Sequence, residues 1–226
     1  MVRTGICAIV ALGAAGTAVA GTSDLVASFG FTDLNGSFIG SNNDGTFTAT
    51  AAGAGAASTG GDVTRLAGGL SETAEFDADF ADDADEADVV INISVEDVAG
   101  DLVGSGTFEI SDADGDTISG EIEGEWILGP FGFVFFNGTI TDASFSSDGD
   151  DQEGLTFDGP SGGSFAFGDL LASLDGAFSL LFNSGDAFTT SFEGVSVQGD
   201  GLLVPAPGAA AMAAAGLVIA TRRRRG

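Results

Sequence analysis

The chain predicts an all-β fold: an antiparallel β-sandwich or jelly-roll-like domain with an acidic loop or short helix. Three observations carry this. Apolar and polar residues alternate in short runs, the period of a strand buried on one face. Clusters of Gly, Asn, Asp and Ser interrupt the runs at roughly 8–12-residue spacing, as in all-β domains. Aromatic area comes almost wholly from 19 Phe, against one Trp and no Tyr, and each buried ring removes a large apolar surface from water.

Each run has its own justification. Phe29 and Phe31 form the first alternating pair, and Thr46-Phe47-Thr48-Ala49-Thr50 is β-prone. Val89, Ile91, Ile93 and Val95 share one face, and Phe108 and Ile110 another. Ile118, Ile122 and Trp126 fall on one face of the next run. Phe131, Phe133 and Phe135 follow, then Ile140, Phe145, Phe157, Phe165, Phe167, Phe178, Phe182, Phe188 and Phe192. All of these apolar positions are expected in the core.

The breaks are equally explicit. Asn35-Gly36 and Asn137-Gly138 tolerate positive φ and are expected to form hairpin turns. Asp112-Ala113-Asp114-Gly115-Asp116, Ser147-Asp148-Gly149-Asp150 and Pro160-Ser161-Gly162-Gly163 are expected loops. Residues 51–61 are rich in Ala, Gly, Ser and Thr and suit a flexible loop. Residues 72–88 are dense in acids around Phe76 and Phe80, which suits an acidic loop or short helix.

The two ends carry processing signals. Residues 1–20 combine the basic start Met1-Val2-Arg3, an apolar stretch and Ala18-Val19-Ala20, the pattern of a signal peptide with mature start at Gly21. The only cysteine, Cys7, lies within it. Residues 21–203 form the acidic extracellular β domain. From 204 the chain reads Val204-Pro205-Ala206-Pro207-Gly208, then a weakly apolar run to 221, then Arg222, Arg223, Arg224 and Arg225. Fourteen helical residues would span about 21 Å, short for a bilayer core that needs roughly 20 residues. A marginal span with a cytoplasmic basic stop suits transient membrane association.

This tail resembles the PEP-CTERM sorting signal of exported bacterial proteins. The matching residues are Val204, Pro205, Pro207, Gly208 and the four arginines, with Ala206 where the family has Glu. The resemblance implies a Gram-negative-type bacterium, export through the inner membrane and delivery to the cell surface or extracellular matrix. It also implies two processing partners, a signal peptidase and an exosortase-like enzyme.

Composition then narrows the chemistry. All 34 acidic residues lie in the body, against the single cation Arg65, for a net charge of −33. Nucleic acid is excluded as a partner, because its binding depends on Lys and Arg neutralising phosphates. The mature chain has no His, Lys, Cys or Tyr. That removes the usual general base, Schiff-base chemistry and structural zinc. Carboxylates and oxygen-ligated cations remain.

Within that space, Asp112, Asp114 and Asp116 around Gly115 form a candidate Ca²⁺ loop, and Asp148, Asp150 and Asp151 a weaker one. Glu121, Glu123 and Glu125 alternate on one strand face, so neighbours sit about 6.8 Å apart, near the separation glycosidase carboxylates use. The run 121–126 is similar to the E-x-D-x-E strand of jelly-roll β-glucanases, with Glu123 in place of the Asp. That resemblance implies a glycosidase using Glu121 and Glu125. The residues the mature chain lacks point away from catalysis, and the resemblance of the tail implies a structural or adhesive protein instead. Its setting would be an exopolysaccharide-associated layer, with Ca²⁺ as the candidate stabilising ion and anionic or neutral polysaccharide as candidate partner. A carbohydrate-binding module is the alternative.

Overall fold

The computed structural model describes residues 25–53, 58–66, 71–82, 87–147, 156–167 and 173–206. The fold is all-β and antiparallel. Its strands are β1 (Ala27–Ser41), β2 (Asp44–Thr50), β3 (Gly60–Arg65), β4 (Glu72–Phe76), β5 (Asp88–Val98), β6 (Asp101–Ser111), β7 (Thr117–Leu128), β8 (Phe133–Ser146), β9 (Thr156–Asp158), β10 (Ser164–Ala166), β11 (Leu174–Asn183) and β12 (Thr190–Pro205). Ten strands form one sheet in the order β12-β11-β8-β7-β6-β5-β2-β1-β3-β4. A further pairing of β12 with β1 brings the first and last strands together. Eight strands thus close into a barrel, while β3 and β4 branch off residues 27–32 of β1, beyond the reach of β2. The β9–β10 hairpin lies against the outer edge of β4 through Glu75 and Gly162.

An eight-stranded barrel is about wide enough for side chains to fill its interior, and here phenylalanine fills it. Phe47 stacks on Phe182 at 4.6 Å, and Trp126 sits 4.7 Å from Phe136 and 4.9 Å from Phe188. Phe29 and Phe108 stack at 5.3 Å midway, and Phe31 meets Phe76 edge-on at 5.3 Å beyond them. The buried Trp126 keeps its Nε1–H satisfied by donating to the Ser94 carbonyl at 2.9 Å. Three inward glycines make this packing possible. Gly104 pairs with Gly124, which pairs with Gly138. A Cβ at Gly104 would lie 2.6 Å from the Trp126 nitrogen, and one at Gly138 would lie 2.6 Å from the Phe136 ring. No side chain fits there unless the aromatic residues move.

Several sequence expectations change phase or place. Asn35-Gly36 and Asn137-Gly138 are not turns but lie inside β1 and β8. Their glycines face inward, where Gly36 abuts Val195 and Val197 and Gly138 abuts Phe136. The need for space, not for positive φ, places glycine at both positions. Phe131, Phe133 and Phe135 are not core: they are 91%, 42% and 38% exposed, while Val134 and Phe136 between and beside them are fully buried. The period-2 expectation was right and its phase was not.

The acidic stretch 72–88 divides into strand β4, a 3-10 turn over Phe80–Asp82 and the start of β5. The loop after β2 is pinned at its base by Thr59. Its hydroxyl donates to the Asp33 carbonyl at 2.9 Å and accepts the Ala52 N–H at 2.9 Å. The stretches expected to be processing signals, 1–20 and the tail from Pro207 onward, lie outside the described residues. Among the described residues no helix is long and apolar enough to cross a membrane.

The barrel has two unlike ends. The described chain ends share one of them: the Val26 N–H donates to the Leu203 carbonyl at 2.8 Å, and Val204 and Pro205 complete β12 beside Leu174 and Asp175. The opposite end carries the connections β1–β2, β5–β6, β7–β8 and β11–β12. Of the eight exposed large hydrophobic side chains among the described residues, all but Leu202 lie toward this loop end.

Candidate functional site

β7 connects two local arrangements, one that the sequence singles out and one that it does not. At its start is the 112–116 turn. The Asp112 carboxylate is fully buried. Its Oδ1 accepts the N–H groups of Asp114 at 3.0 Å and Asp116 at 2.9 Å, and its Oδ2 accepts the N–H of Asp158 at 2.9 Å. The turn closes with the Asp112 N–H donating to the Asp116 carbonyl at 3.0 Å. One side chain therefore organises its own turn and ties it to β9. Burial pushes the Asp112 carboxyl up to about 6, against the lowering effect of the three N–H donors. Asp116 is also buried, whereas Asp114 is exposed.

Asp112 and Asp116 are thus buried side by side while Asp114 faces solvent. Among the described residues no group of three or more carboxylates is placed to hold a metal ion. The ligand that Asp112 serves is backbone amide. Asp148, Asp150 and Asp151 lie outside the described residues.

At the other end of β7 is the turn to β8. Gly129 N–H donates to the Phe133 carbonyl at 2.8 Å, Asn183 Nδ2 to the Phe131 carbonyl at 2.9 Å, and Ser184 N–H to the Gly132 carbonyl at 3.2 Å. Phe131 takes the left-handed conformation, φ 61 and ψ 25. That region costs a non-glycine residue on the order of 1–2 kcal/mol. Glycine follows immediately, with Gly132 at φ 80. The result is a hydrogen-bonded turn that holds a strained aromatic ring out in solvent.

The outward column of β8 continues from this tip as Phe133, Phe135, Asn137 and Thr139. Its neighbours are set by register. Phe135 lies between Ile127 of β7 and Leu181 of β11, and Asn137 between Glu125 and Ser179. Thr139 lies between Glu123 and Ala177. An apolar row therefore borders polar rows on the same face. A groove of about 440 Å³ runs beside this column, with Glu123, Glu125, Ser105 and Thr139 in its wall. A second groove of about 320 Å³ on the other side is walled by Asn137, Ser179 and Asp200.

Glu121, Glu123 and Glu125 do share one exposed face, as their alternation requires. Glu121 stands between Thr107 and Thr141, outside both grooves. Of the residues expected to form a sorting motif, Val204 and Pro205 end β12; Pro207, Gly208, Arg222, Arg223, Arg224 and Arg225 lie outside the described residues. Comparison with family models, with curated proteins and with solved structures finds no match to the chain.

Proposed function

We propose that the protein is an exported, surface- or matrix-sorted acidic β-barrel with a structural or adhesive role in an exopolysaccharide-associated layer. The observation that carries this is the polarity of the barrel. Both described chain ends leave from one end, and nearly all exposed large apolar side chains sit toward the other. A barrel attached by its tail would present that loop end outward. The charge of −33 keeps such a module hydrated and resists non-specific association. Delivery would use the leader 1–20 and the tail 204–226, processed by a signal peptidase and an exosortase-like enzyme during a transient stay in the membrane.

The role is binding and building, not catalysis. Glu125 lines the groove beside β8 and Glu121 stands outside it, so the pair does not face one another across a cleft. The test is fractionation of cells making the wild-type chain or one with Arg222–Arg225 replaced by Ser. Wild type is expected at the protease-accessible surface or in the matrix, and the variant elsewhere. Equal distribution of the two would overturn the sorting part of the proposal.

A further inference from the structure

We propose that the outward face of β8, with its flanks on β7 and β11, is a binding surface for an uncharged polysaccharide. This deepens the role proposed above by naming the partner class and the site. The juxtaposition that carries it is Phe133 and Phe135 on one outward column, followed directly by Asn137 and Thr139, with the exposed Phe131 in the turn that leads into them. A groove lies on either side, one of mixed lining with Ser105, Glu123, Glu125 and Thr139, the other largely apolar with Asn137, Ser179 and Asp200 at its wall.

Each part has a chemical counterpart in a glycan. Alternate residues on a strand are about 6.8 Å apart, the scale of a single sugar ring. Phe133 and Phe135 are therefore placed to meet successive rings of a chain lying along β8, with Phe131 at its end. Aromatic faces pack on the C–H faces of pyranoses, and amide, hydroxyl and carboxylate groups beside them fix the hydroxyls. An apolar floor with a few convergent polar groups is the usual make-up of a small-ligand site. Asn137, Thr139, Glu123 and Glu125 are the groups in reach of a chain seated on the ring column.

The turn itself supports a recognition role. Phe131 is held at positive φ and 91% exposed by backbone and Asn183 hydrogen bonds. Glycine would adopt this conformation without strain. Stability alone thus does not account for an aromatic residue here.

Charge selects among occupants. Glu125, Asp97 and Asp101 border the apolar row near Ile127 and Leu128, and the body carries −33. An anionic polymer is repelled. A second copy is repelled too, and the row is narrow. Stable protein interfaces bury about 1,200 Å² or more around a charge-depleted centre. A lipid surface would strip water from the same carboxylates. A neutral glycan meets none of these costs.

The test is affinity electrophoresis of the exported full chain through gels containing a β-glucan, a mannan or a galactan, with alginate as the anionic comparison. At least one neutral polymer is expected to retard the wild type. Phe131→Gly is expected to weaken that retardation about tenfold while the melting temperature stays the same or rises. A merely structural role for Phe131 would not separate the two. Phe133→Thr, a β-compatible polar swap at an outward position, is expected to weaken it similarly. Four results would overturn the proposal: no retardation by any neutral polymer, equal retardation of wild type and both variants, retardation by alginate alone, or Phe131-dependent dimers or phosphatidylcholine-vesicle binding in place of retardation. These results leave the cell-fractionation test untouched, so failure of the site and failure of the sorting proposal are distinguishable.

Discussion

The two turns at the ends of β7 each invert an ordinary rule, in opposite ways. The 112–116 turn buries a charge; the turn before β8 exposes an aromatic ring. In the first, the cost is offset within the fold. Three backbone N–H groups converge on Asp112, and removing it would leave the buried Asp116 N–H and the two part-buried ones without this acceptor. In the second, hydrogen bonds hold the left-handed backbone in place, but the ring itself is left 91% exposed. A buried polar group with three partners is explained by folding. An exposed apolar group under strain is not, and that difference directs attention to the loop end of the barrel.

The contrast breaks most easily at Asp112. Asp112→Ala is expected to destabilise the protein by about 2–4 kcal/mol, since the buried Asp116 donor left without a partner costs about 1–3 kcal/mol and the two part-buried donors add less each. Chemical denaturation measures it; a loss under about 1 kcal/mol would show that the carboxylate does not organise the turn.

The next effect is on pH dependence. The folded carboxyl titrates at about 6, above its ordinary 3.8. Between those values the folded state holds a proton that the unfolded chain has released. Stability from this group therefore falls as pH rises through that window and levels off above about 6. The span is at most roughly 3 kcal/mol, at 1.36 kcal/mol for each unit of displacement. The melting temperature is expected to rise on acidification from pH 7 toward 5, and Asp112→Asn to flatten that slope. Parallel pH profiles for wild type and Asp112→Asn would contradict the assignment.

At the other turn the stability effect is small. Phe131→Gly relieves left-handed strain but frees the unfolded chain by about 0.4–1 kcal/mol. A net change within about 1 kcal/mol, neutral or stabilising, is expected from denaturation. A loss beyond that would make Phe131 a packing residue. Smallest of all, Glu121→Gln on the exposed strand face should change stability by less than about 0.5 kcal/mol.

The interior was legible in the sequence, because alternation alone places Val89, Ile91, Ile93 and Val95, or Ile118, Ile122 and Trp126, on a single face. The site was not, for a definite reason. In residues 131–136 both alternating sets are apolar, so a period of two leaves the phase open. Only closure of the barrel through β1 and β12 turns Val134 and Phe136 inward and leaves Phe133 and Phe135 outside. Asn35-Gly36 and Asn137-Gly138 misled for a related reason. Their glycines answer to Val197 and Phe136, residues distant in sequence or masked by the turn signal itself. The Asp-x-Asp-Gly-Asp spacing marked the 112–116 turn correctly. It did not reveal that Asp112 would face Asp158, forty-six residues away.

The account rests on phenylalanine having two separate tasks, filling the barrel and meeting a partner. Aromatic-ring NMR of ¹³C-labelled Phe during titration with the neutral oligosaccharide of whichever polymer retards the protein tests this most directly. Saturable shifts are predicted for Phe131, Phe133 and Phe135, with Phe47 and Phe182 unmoved inside the barrel. Shifts absent from the three outward rings, or spread equally through the interior ones, would contradict it.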